Sequence, residues 1–260
     1  MGSVNPIVVT AAALEARAEA IAEGLAASVA NFGGQLCTKP GVVFVPYGEA
    51  GNAFADDVAK RLEGTEPTVL LNERLRDALR EAVGRLEERA ERLGGAPEAD
   101  GPGFRHQPSA YEADAGDLGT TPELLEEHFG PVVLFVRYGT RDDLLAALDR
   151  IEGQLTGTVH AQEGEDVATI VEALRERVGR VIFDGFPTGV AVTYGMHHGG
   201  PFPSTSAPAH TSVGMTAITR WLRPVAYQNA PPALLPAELK PDNPLGIWRR
   251  VDGELTRDPA

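Results

Sequence analysis

The spacing of apolar residues predicts a long amphipathic helix near the start of the chain. Side chains three and four positions apart lie on one face of a helix, and one such face carries the apolar residues Leu14, Ala18, Ile21, Leu25 and Val29. Thr10 is expected to cap the first turn, because a hydroxyl oxygen can accept a hydrogen bond from a free backbone N–H there. Gly33 and Gly34 are expected to end the helix.

Short apolar runs between further amphipathic stretches predict a sheet. Strands are expected over 41–46, 67–71, 131–138, 155–161 and 180–185, with another near 109–113. Helices are expected over 52–64, 72–95, 140–153 and 165–179, and Thr140 is a candidate N-cap. Nearly continuous apolar strands that alternate with helices are typical of a parallel sheet covered by helices on both faces. The predicted fold class is therefore α/β.

The pattern changes after residue 186, where a long segment rich in Gly and Pro begins. A short helix is expected over 214–222, followed by a strand over 224–229 and a proline-studded tail. This tail has few apolar positions with which to build its own core, so it is expected to lie on another surface. The predicted division is one domain over 1–222 and a strand with its tail over 223–260.

Net charge, cysteine count and the length of apolar runs limit which partners and which cellular compartment are expected. The 260 residues carry a formal net charge of -14, which disfavours binding to nucleic acids and to anionic membranes. A single cysteine excludes an internal disulfide. No apolar run is long enough to span a bilayer, and the first residues lack the layout of a signal peptide. A cytoplasmic location is expected.

The chemistry-bearing residues leave few classes of site open. The sequence contains no glycine-rich nucleotide loop, no metalloprotease motif and no serine hydrolase motif. His197 and His198 are adjacent, which is a poor arrangement for ligating one metal ion, and no third ligand is apparent. No metal site is therefore predicted.

Cys37 remains, and its residue type alone favours a buried structural role, because free cysteines are among the most buried residues. Its position between a helix end and a strand start favours function instead, since loops of that kind often carry catalytic groups. A catalytic cysteine must form the thiolate. Lys39 is near enough in sequence to help electrostatically.

Four ordered motifs give the chain a resemblance to the aldehyde dehydrogenase superfamily. Residues 33–41, "GGQLCTKPG", resemble the nucleophile loop, and residues 127–132, "EHFGPV", resemble the family's Glu-x-Phe-Gly-Pro motif. Residues 1–9 resemble its Gly-Ser-x-Asn-Pro segment. Residues 180–190 and 197–206 resemble the late substrate-side loop and the glycine pair after it. The resemblance covers essentially the whole chain and implies the fold of the family's catalytic domain.

The sequences of three segments resemble one branch of that superfamily: "GSVNP", "MHHGGPFPSTS" and "NPLGIWR". The branch contains the 2-oxoglutarate semialdehyde (2,5-dioxopentanoate) dehydrogenases and the related NADP-dependent fatty aldehyde dehydrogenases. It implies oxidation of an aldehyde to a carboxylic acid through a cysteine thiohemiacetal and a thioester, with NADP or NAD as cofactor.

The resemblance also implies roles for single residues. Cys37 would be the nucleophile, Glu127 would bind the nicotinamide ribose, and Phe129 would pack near the nicotinamide. The residues expected to wall the aldehyde pocket are Leu36, Thr38, Pro187 and Gly189. No residue is assigned to the substrate's carboxylate: Arg137 and Arg223 are candidates by charge alone, and a solvated role is favoured for each.

The resemblance places other parts of the family's site upstream of this sequence. The Rossmann-like cofactor domain and the catalytic glutamate would precede residue 1, so this chain alone is expected to be inactive. The C-terminal strand implies a homo-oligomer or pairing with a separate N-terminal half. Two alternatives stay open: a non-catalytic role in oligomerisation or pairing, and a different cysteine chemistry such as thioester hydrolysis. The second would need a histidine, and no motif links His160, His197 or His198 to Cys37.

Overall fold

The fold is described from a computed structural model, which covers residues 2–95, 99, 101–187 and 189–259. The chain divides into two compact units, Met1–Ala217 and Ile218–Ala260. The observed boundary lies a few residues before the predicted one at residue 222. Cys37, Glu127 and Phe129 belong to the first unit.

The first unit alternates strands with helices along most of its length. Its helices are α1 (Ala11–Ala30), α2 (Glu49–Glu63), α3 (Glu73–Glu87), α4 (Arg141–Leu148) and α5 (Ala168–Arg175). Its strands are β1 (Ile7–Val9), β2 (Val42–Pro46), β3 (Thr68–Leu70), β4 (Glu91–Gly94), β5 (Phe104–His106), β6 (Ser109–Asp114), β7 (Val132–Tyr138), β8 (Gln154–His160) and β9 (Val178–Phe183).

Seven strands form one sheet in the order β4-β6-β7-β2-β1-β8-β9. Every neighbouring pair is parallel except β4 with β6, which is antiparallel and lies at the edge. Strands β3 and β5 form a separate antiparallel pair. The α/β class and the parallel sheet predicted from the sequence are confirmed.

Both faces of the sheet are buried, which explains its nearly all-apolar strands. Every residue of β7 is buried. Val8, Phe44 and Leu134 belong to the apolar cluster on one face, whereas Val43 and Phe135 belong to the cluster that α1 and α2 cover on the other. Successive strand residues point to opposite faces, so one continuous apolar run supplies two cores.

The predicted helix signals at Thr10, Gly33 and Thr140 have the expected effects. The Thr10 hydroxyl accepts a hydrogen bond from the Ala13 N–H at 3.1 Å. Helix α1 ends at Ala30, and a 3₁₀ turn over Asn31–Gly34 leads into the loop of Cys37. Thr140 and Asp143 form a reciprocal capping box at the start of α4.

Two predicted elements are wrong in extent or position. The helix predicted over 72–95 ends at Glu87, and 91–94 instead form the edge strand β4. Pairing with β6 supplies backbone hydrogen bonds that outweigh the helical preference of this charged stretch. Residues 224–229 are not a strand. A strand forms only where another strand supplies hydrogen-bond partners, and these residues have none among those the structure describes.

The second unit consists of short turns and one hairpin. Two 3₁₀ turns, Pro232–Leu234 and Ala237–Leu239, precede the antiparallel pair β10 (Arg249–Val251) and β11 (Glu254–Thr256). It exposes several large apolar side chains, among them Leu222, Tyr227 and Trp248. Across the described parts of the two units, no helix combines the length and apolarity that crossing a membrane requires.

Candidate active site

The parallel sheet gathers four separate segments at the amino ends of its strands. Residues 2–5 precede β1, the loop of Cys37 precedes β2, residues 127–129 precede β7, and Gln154 begins β8. Like ends of parallel strands meet at one edge of a sheet. Segments up to 152 residues apart in the sequence are therefore neighbours, as the hydrogen bond from Leu155 N to Ser3 Oγ shows.

Asn5 holds the backbone of the Cys37 loop. Its side-chain amide donates hydrogen bonds to the carbonyl oxygens of Cys37 and Lys39, each at 3.0 Å. Its own oxygen accepts from the Thr156 hydroxyl at 3.1 Å. Gln154 Oε1 in turn accepts from the backbone N–H of Val4 at 2.5 Å and of Asn5 at 3.2 Å. The loop is thus tied through buried amide side chains to the central sheet.

Gly34 brings the same loop against the Glu-x-Phe-Gly-Pro turn. A Cβ at this position would lie 2.1 Å from the carbonyl oxygen of Gly130, and the φ angle of Gly34 is +66°. Both the contact and the φ angle exclude larger residues. The absence of a side chain at Gly34 therefore sets how closely Cys37 approaches the segment that carries Glu127 and Phe129.

Cys37 is exposed, so its structural interpretation as a buried thiol is wrong. It faces a cavity of about 240 Å³. The described residues that line this cavity are Gly2, Ser3, Cys37, Glu127, Phe129, Leu155 and Ser204. The structure thus brings together the three residues to which the resemblance gives the central roles.

The four residues expected to wall the aldehyde pocket do not line this cavity. Thr38 is buried, and Leu36 is half-buried. Pro187 is buried and Gly189 exposed. Their carbonyl oxygens each accept a hydrogen bond of 3.1 Å from the Arg180 guanidinium. Their roles in holding an aldehyde stay predictions.

Glu127, which lines the cavity, and the buried Lys39 influence each other by charge. Burial raises the pKa of the Glu127 carboxyl, and the charge of Lys39 partly offsets that rise. Burial lowers the pKa of the Lys39 ammonium to about 8, against the opposing effect of Glu127. The Lys39 ammonium donates to the Val132 carbonyl at 2.7 Å. Lys39 therefore points under the loop toward β7 and makes its hydrogen bond there.

His198 lies against the thiol, a contact that the sequence analysis missed. Its Nε2 atom is 3.4 Å from Cys37 Sγ. The residues are 161 positions apart, and no spacing rule connects them. The available signal was the location of His198 beside the glycine pair, which in the resemblance follows the substrate-side loop. No sequence motif linked His198 to Cys37, and the contact appears only in the structure.

The two arginines considered for the substrate's carboxylate are not among the residues that line this cavity. Arg137 is only 1% exposed, so the favoured solvated role is wrong. Its guanidinium donates to the Gly51 carbonyl at 2.9 Å and contacts Asn52. It also lies over the Tyr47 ring. Arg223 is exposed in the second unit. Arg180, whose charge interacts with Cys37, is the arginine that sequence reasoning overlooked.

The residues at the cavity suit covalent chemistry better than metal chemistry. Among the described residues, no group of three His, Cys, Asp or Glu side chains is placed to hold a metal ion. An exposed thiol beside an imidazole and an arginine can instead form a thiolate, which is the reactive form of cysteine. The Glu127 carboxylate, which also lines the cavity, can accept hydrogen bonds from hydroxyl groups.

Comparisons with known proteins show what this chain is similar to in sequence. The sequence profile of the aldehyde dehydrogenase family matches residues 1–221. The chain is 41% identical over 257 residues to alpha-ketoglutaric semialdehyde dehydrogenase 2 of Azospirillum brasilense, covering 98% of the chain and 49% of that protein. It is 38% identical over 265 residues to alpha-ketoglutaric semialdehyde dehydrogenase of Acinetobacter baylyi, covering 99% of the chain and 50% of that protein. The chain spans about half the length of these relatives.

Solved structures agree on the fold. An aldehyde dehydrogenase from Bacillus cereus matches 84% of the chain and 44% of its own length, with a TM-score of 0.68 and 20% identity. A betaine aldehyde dehydrogenase from Staphylococcus aureus matches 85% of the chain and 44% of its own length, with a TM-score of 0.70 and 18% identity. Proline utilization A from Bdellovibrio bacteriovorus matches 86% of the chain and 23% of its own length, with a TM-score of 0.71 and 22% identity.

Proposed function

Because the chain belongs to the aldehyde dehydrogenase family, we propose that it supplies the nucleophile for oxidation of 2-oxoglutarate semialdehyde to 2-oxoglutarate. One observation carries the proposal: the exposed thiol of Cys37 opens into the cavity that Glu127 and Phe129 also line. The names of the two relatives support the choice of substrate. Because the chain spans half of each relative, the complete reaction is proposed for the enzyme that contains this chain.

In this proposal the Cys37 thiolate attacks the aldehyde carbon, and a carbon–sulfur bond forms. The negative charge that develops on the aldehyde oxygen needs hydrogen-bond donors, and the backbone N–H of Cys37 is one of them. Loss of hydride from the same carbon leaves a thioester on Cys37. Water then cleaves the thioester, which releases the carboxylic acid and restores the thiol.

The residues present fit part of a nicotinamide cofactor site. When bound, NADP or NAD supplies the hydride acceptor. Glu127 lines the Cys37 cavity with a carboxylate that can accept hydrogen bonds from two ribose hydroxyls. Gly2 leaves room beside it, since a Cβ there would lie 3.2 Å from Glu127 Oε2. Phe129 adds an apolar side chain to the lining of the same cavity.

The proposal is tested by protecting Cys37 with the aldehyde. Iodoacetamide alkylates cysteine thiolates, and mass spectrometry of the chain reports the rate at its single cysteine. We expect 2-oxoglutarate semialdehyde to slow alkylation at concentrations where 2-oxoglutarate, which lacks the aldehyde, has no effect. Pentanal tests the contribution of the substrate's oxo and carboxylate groups. Equal alkylation rates with and without the semialdehyde would contradict the proposal.

A second candidate function is assembly without catalysis. It is favoured by the exposed apolar side chains of the second unit, of which Trp221 is 78% exposed and Trp248 64%. Large apolar side chains that stay in contact with water often mark surfaces that bind another protein. We propose a second copy of this chain as that partner. Light scattering coupled to size-exclusion chromatography is expected to give at least twice the chain's mass, and a concentration-independent monomer would contradict it.

A further inference from the structure

His198 contacts the proposed nucleophile directly, with Nε2 3.4 Å from Cys37 Sγ. This distance fits a hydrogen bond to sulfur, which is longer than one to oxygen. The proposed oxidation requires a thiolate, and a free cysteine with a pKa of about 8.5 is mostly protonated at neutral pH. The site therefore needs a group that accepts the thiol proton.

The backbone around His198 fixes its position. The His198 N–H donates to Thr211 Oγ1 at 2.8 Å. Its carbonyl oxygen accepts from the Ser212 hydroxyl at 2.9 Å and from the Ser212 N–H at 3.0 Å. Its Nδ1 atom is buried and has no hydrogen-bond partner among the described residues. The ring is thus positioned by its backbone and its packing, without a third side chain.

The following glycine pair seats this segment on the sheet. A Cβ on Gly200 would lie 2.2 Å from the Gln154 carbonyl oxygen of β8. A Cβ on Gly179, which belongs to β9, would lie 2.0 Å from the carbonyl oxygen of Gly199. These two close backbone contacts place the His198 side chain at the amino edge of the sheet, where Cys37 also lies.

Burial and the charges around His198 keep its imidazole unprotonated. Burial lowers the pKa of His198, and Arg180 from β9 and the adjacent His197 lower it further. Arg180 also interacts with Cys37. Glu127 lines the cavity into which the thiol opens. At neutral pH the imidazole is uncharged and can accept, while Arg180 favours the negative charge that develops on sulfur.

We propose that His198 is the proton acceptor for Cys37, an inference that rests on the proposed function of Cys37 as the nucleophile. The sulfur–hydrogen bond breaks, its electron pair stays on Sγ, and the proton moves to His198 Nε2. The resulting thiolate attacks the aldehyde carbon. When water later cleaves the thioester, sulfur leaves as a thiolate and takes the proton back from Nε2. His198 thus ends each cycle neutral.

The test is the pH profile of Cys37 alkylation by iodoacetamide in the full chain. In the wild type, we expect the rate to rise at a pH below that of a free cysteine. In His198→Gln, the midpoint should move up toward about 8.5 and the rate at neutral pH should fall about tenfold, since each pH unit below the pKa reduces the thiolate tenfold. His197→Gln is the matched control and should shift the midpoint far less. Coinciding profiles for wild type and His198→Gln would overturn the proposal.

A second measurement tests the proposal without the His198→Gln variant, which could fail to fold. The ring resonances of His198 can be titrated by NMR in the wild type and in Cys37→Ser. A neighbouring thiolate stabilises the imidazolium, so the His198 pKa should be higher in the wild type than in Cys37→Ser. Equal pKa values would overturn the proposal.

The outcomes separate this inference from the proposed function. Protection of Cys37 by the semialdehyde together with a profile unaffected by His198→Gln would retain the nucleophile and reject the proton acceptor. A shifted profile without protection would retain the pair and reject the aldehyde as its substrate.

Discussion

Replacing Asn5 with Ala should loosen the loop that presents Cys37 and destabilise the first unit. Asn5 is 1% exposed, and its amide donates to the Cys37 and Lys39 carbonyls, each at 3.0 Å. Its oxygen accepts from the Thr156 hydroxyl at 3.1 Å and from the Thr156 N–H at 3.3 Å. The substitution leaves these groups without their partner, and all but the Cys37 carbonyl form buried hydrogen bonds with Asn5.

The size of the effect follows from those contacts. Each buried polar group left unsatisfied costs about 1 kcal/mol or more. Asn5 also has a φ angle of +47°, a conformation that costs an alanine roughly 1 kcal/mol. We therefore expect Asn5→Ala to lower the free energy of unfolding by about 3–4 kcal/mol.

Urea unfolding followed by circular dichroism measures this change. Tryptophan fluorescence is unsuitable, because Trp221 and Trp248 both lie outside the first unit. Asn31→Ala is the matched control: Asn31 is exposed at the end of α1 and should cost less than about 0.5 kcal/mol. The Gly41 N–H donates to the carbonyl oxygen of Val4, the neighbour of Asn5, at 2.7 Å. Hydrogen exchange at the Gly41 amide should therefore also accelerate in Asn5→Ala. A loss of less than about 1 kcal/mol would refute the assigned role of Asn5.

Three further predictions concern the charges and close contacts of the same unit. Lys39 has a folded pKa of about 8, below its ordinary value of 10.5, so stability should rise with pH between these values. Lys39→Met should remove that rise of about 3 kcal/mol, and parallel urea profiles across this pH range would contradict it. Burial lowers the pKa of His160 from 6.5 to about 4, so its contribution to stability should be lost as pH falls through that window. Between pH 6.5 and about 4, His160→Leu should reduce the loss of unfolding free energy by about 3 kcal/mol. The same loss in His160→Leu and the wild type would count against a neutral buried imidazole. Gly34→Ala should destabilise by more than about 3 kcal/mol, because its Cβ would lie 2.1 Å from the Gly130 carbonyl oxygen. Gly189→Ala has a similarly positive φ angle but no atom within 4 Å, so its cost should stay near about 1 kcal/mol; equal costs would argue against the contact.

Local patterns predicted much of the fold. The period of apolar residues located α1, and the polar caps Thr10 and Thr140 located two helix starts. The apolar run at 131–138 predicted the fully buried strand β7. These features depend on neighbours along the chain, which a sequence displays directly. The edge strand β4 was missed because its hydrogen-bond partner β6 lies about twenty residues away.

The burial of Arg137 could have been predicted from its apolar neighbours in the sequence. It sits in a strand whose other residues are apolar or aromatic, so its side chain had to be buried with the sheet. A buried guanidinium requires hydrogen-bond acceptors, and the Gly51 carbonyl and Asn52 provide them. The residues on either side of Arg137 in the sequence therefore already favoured a buried arginine over a solvated one.

The candidate site was predictable only in part. The motifs placed Cys37, Glu127 and Phe129 together, and the structure finds them on one cavity. The contact of His198 with Cys37 depends on how β8 and β9 seat the glycine pair beside the nucleophile loop. No local rule reports that arrangement, because it arises from the packing of distant backbone segments.

The most direct test of Cys37 as the nucleophile is to observe its bond to the aldehyde. 2-Oxoglutarate semialdehyde labelled with ¹³C at its aldehyde carbon is added to the chain, and carbon NMR is recorded. Attack by Cys37 converts the planar carbonyl carbon into a tetrahedral carbon bonded to sulfur and oxygen. We predict a new protein-bound resonance of that type in the wild type and its loss in Cys37→Ser. Its absence from the wild type, or its persistence in Cys37→Ser, would contradict the assignment of Cys37 as the nucleophile.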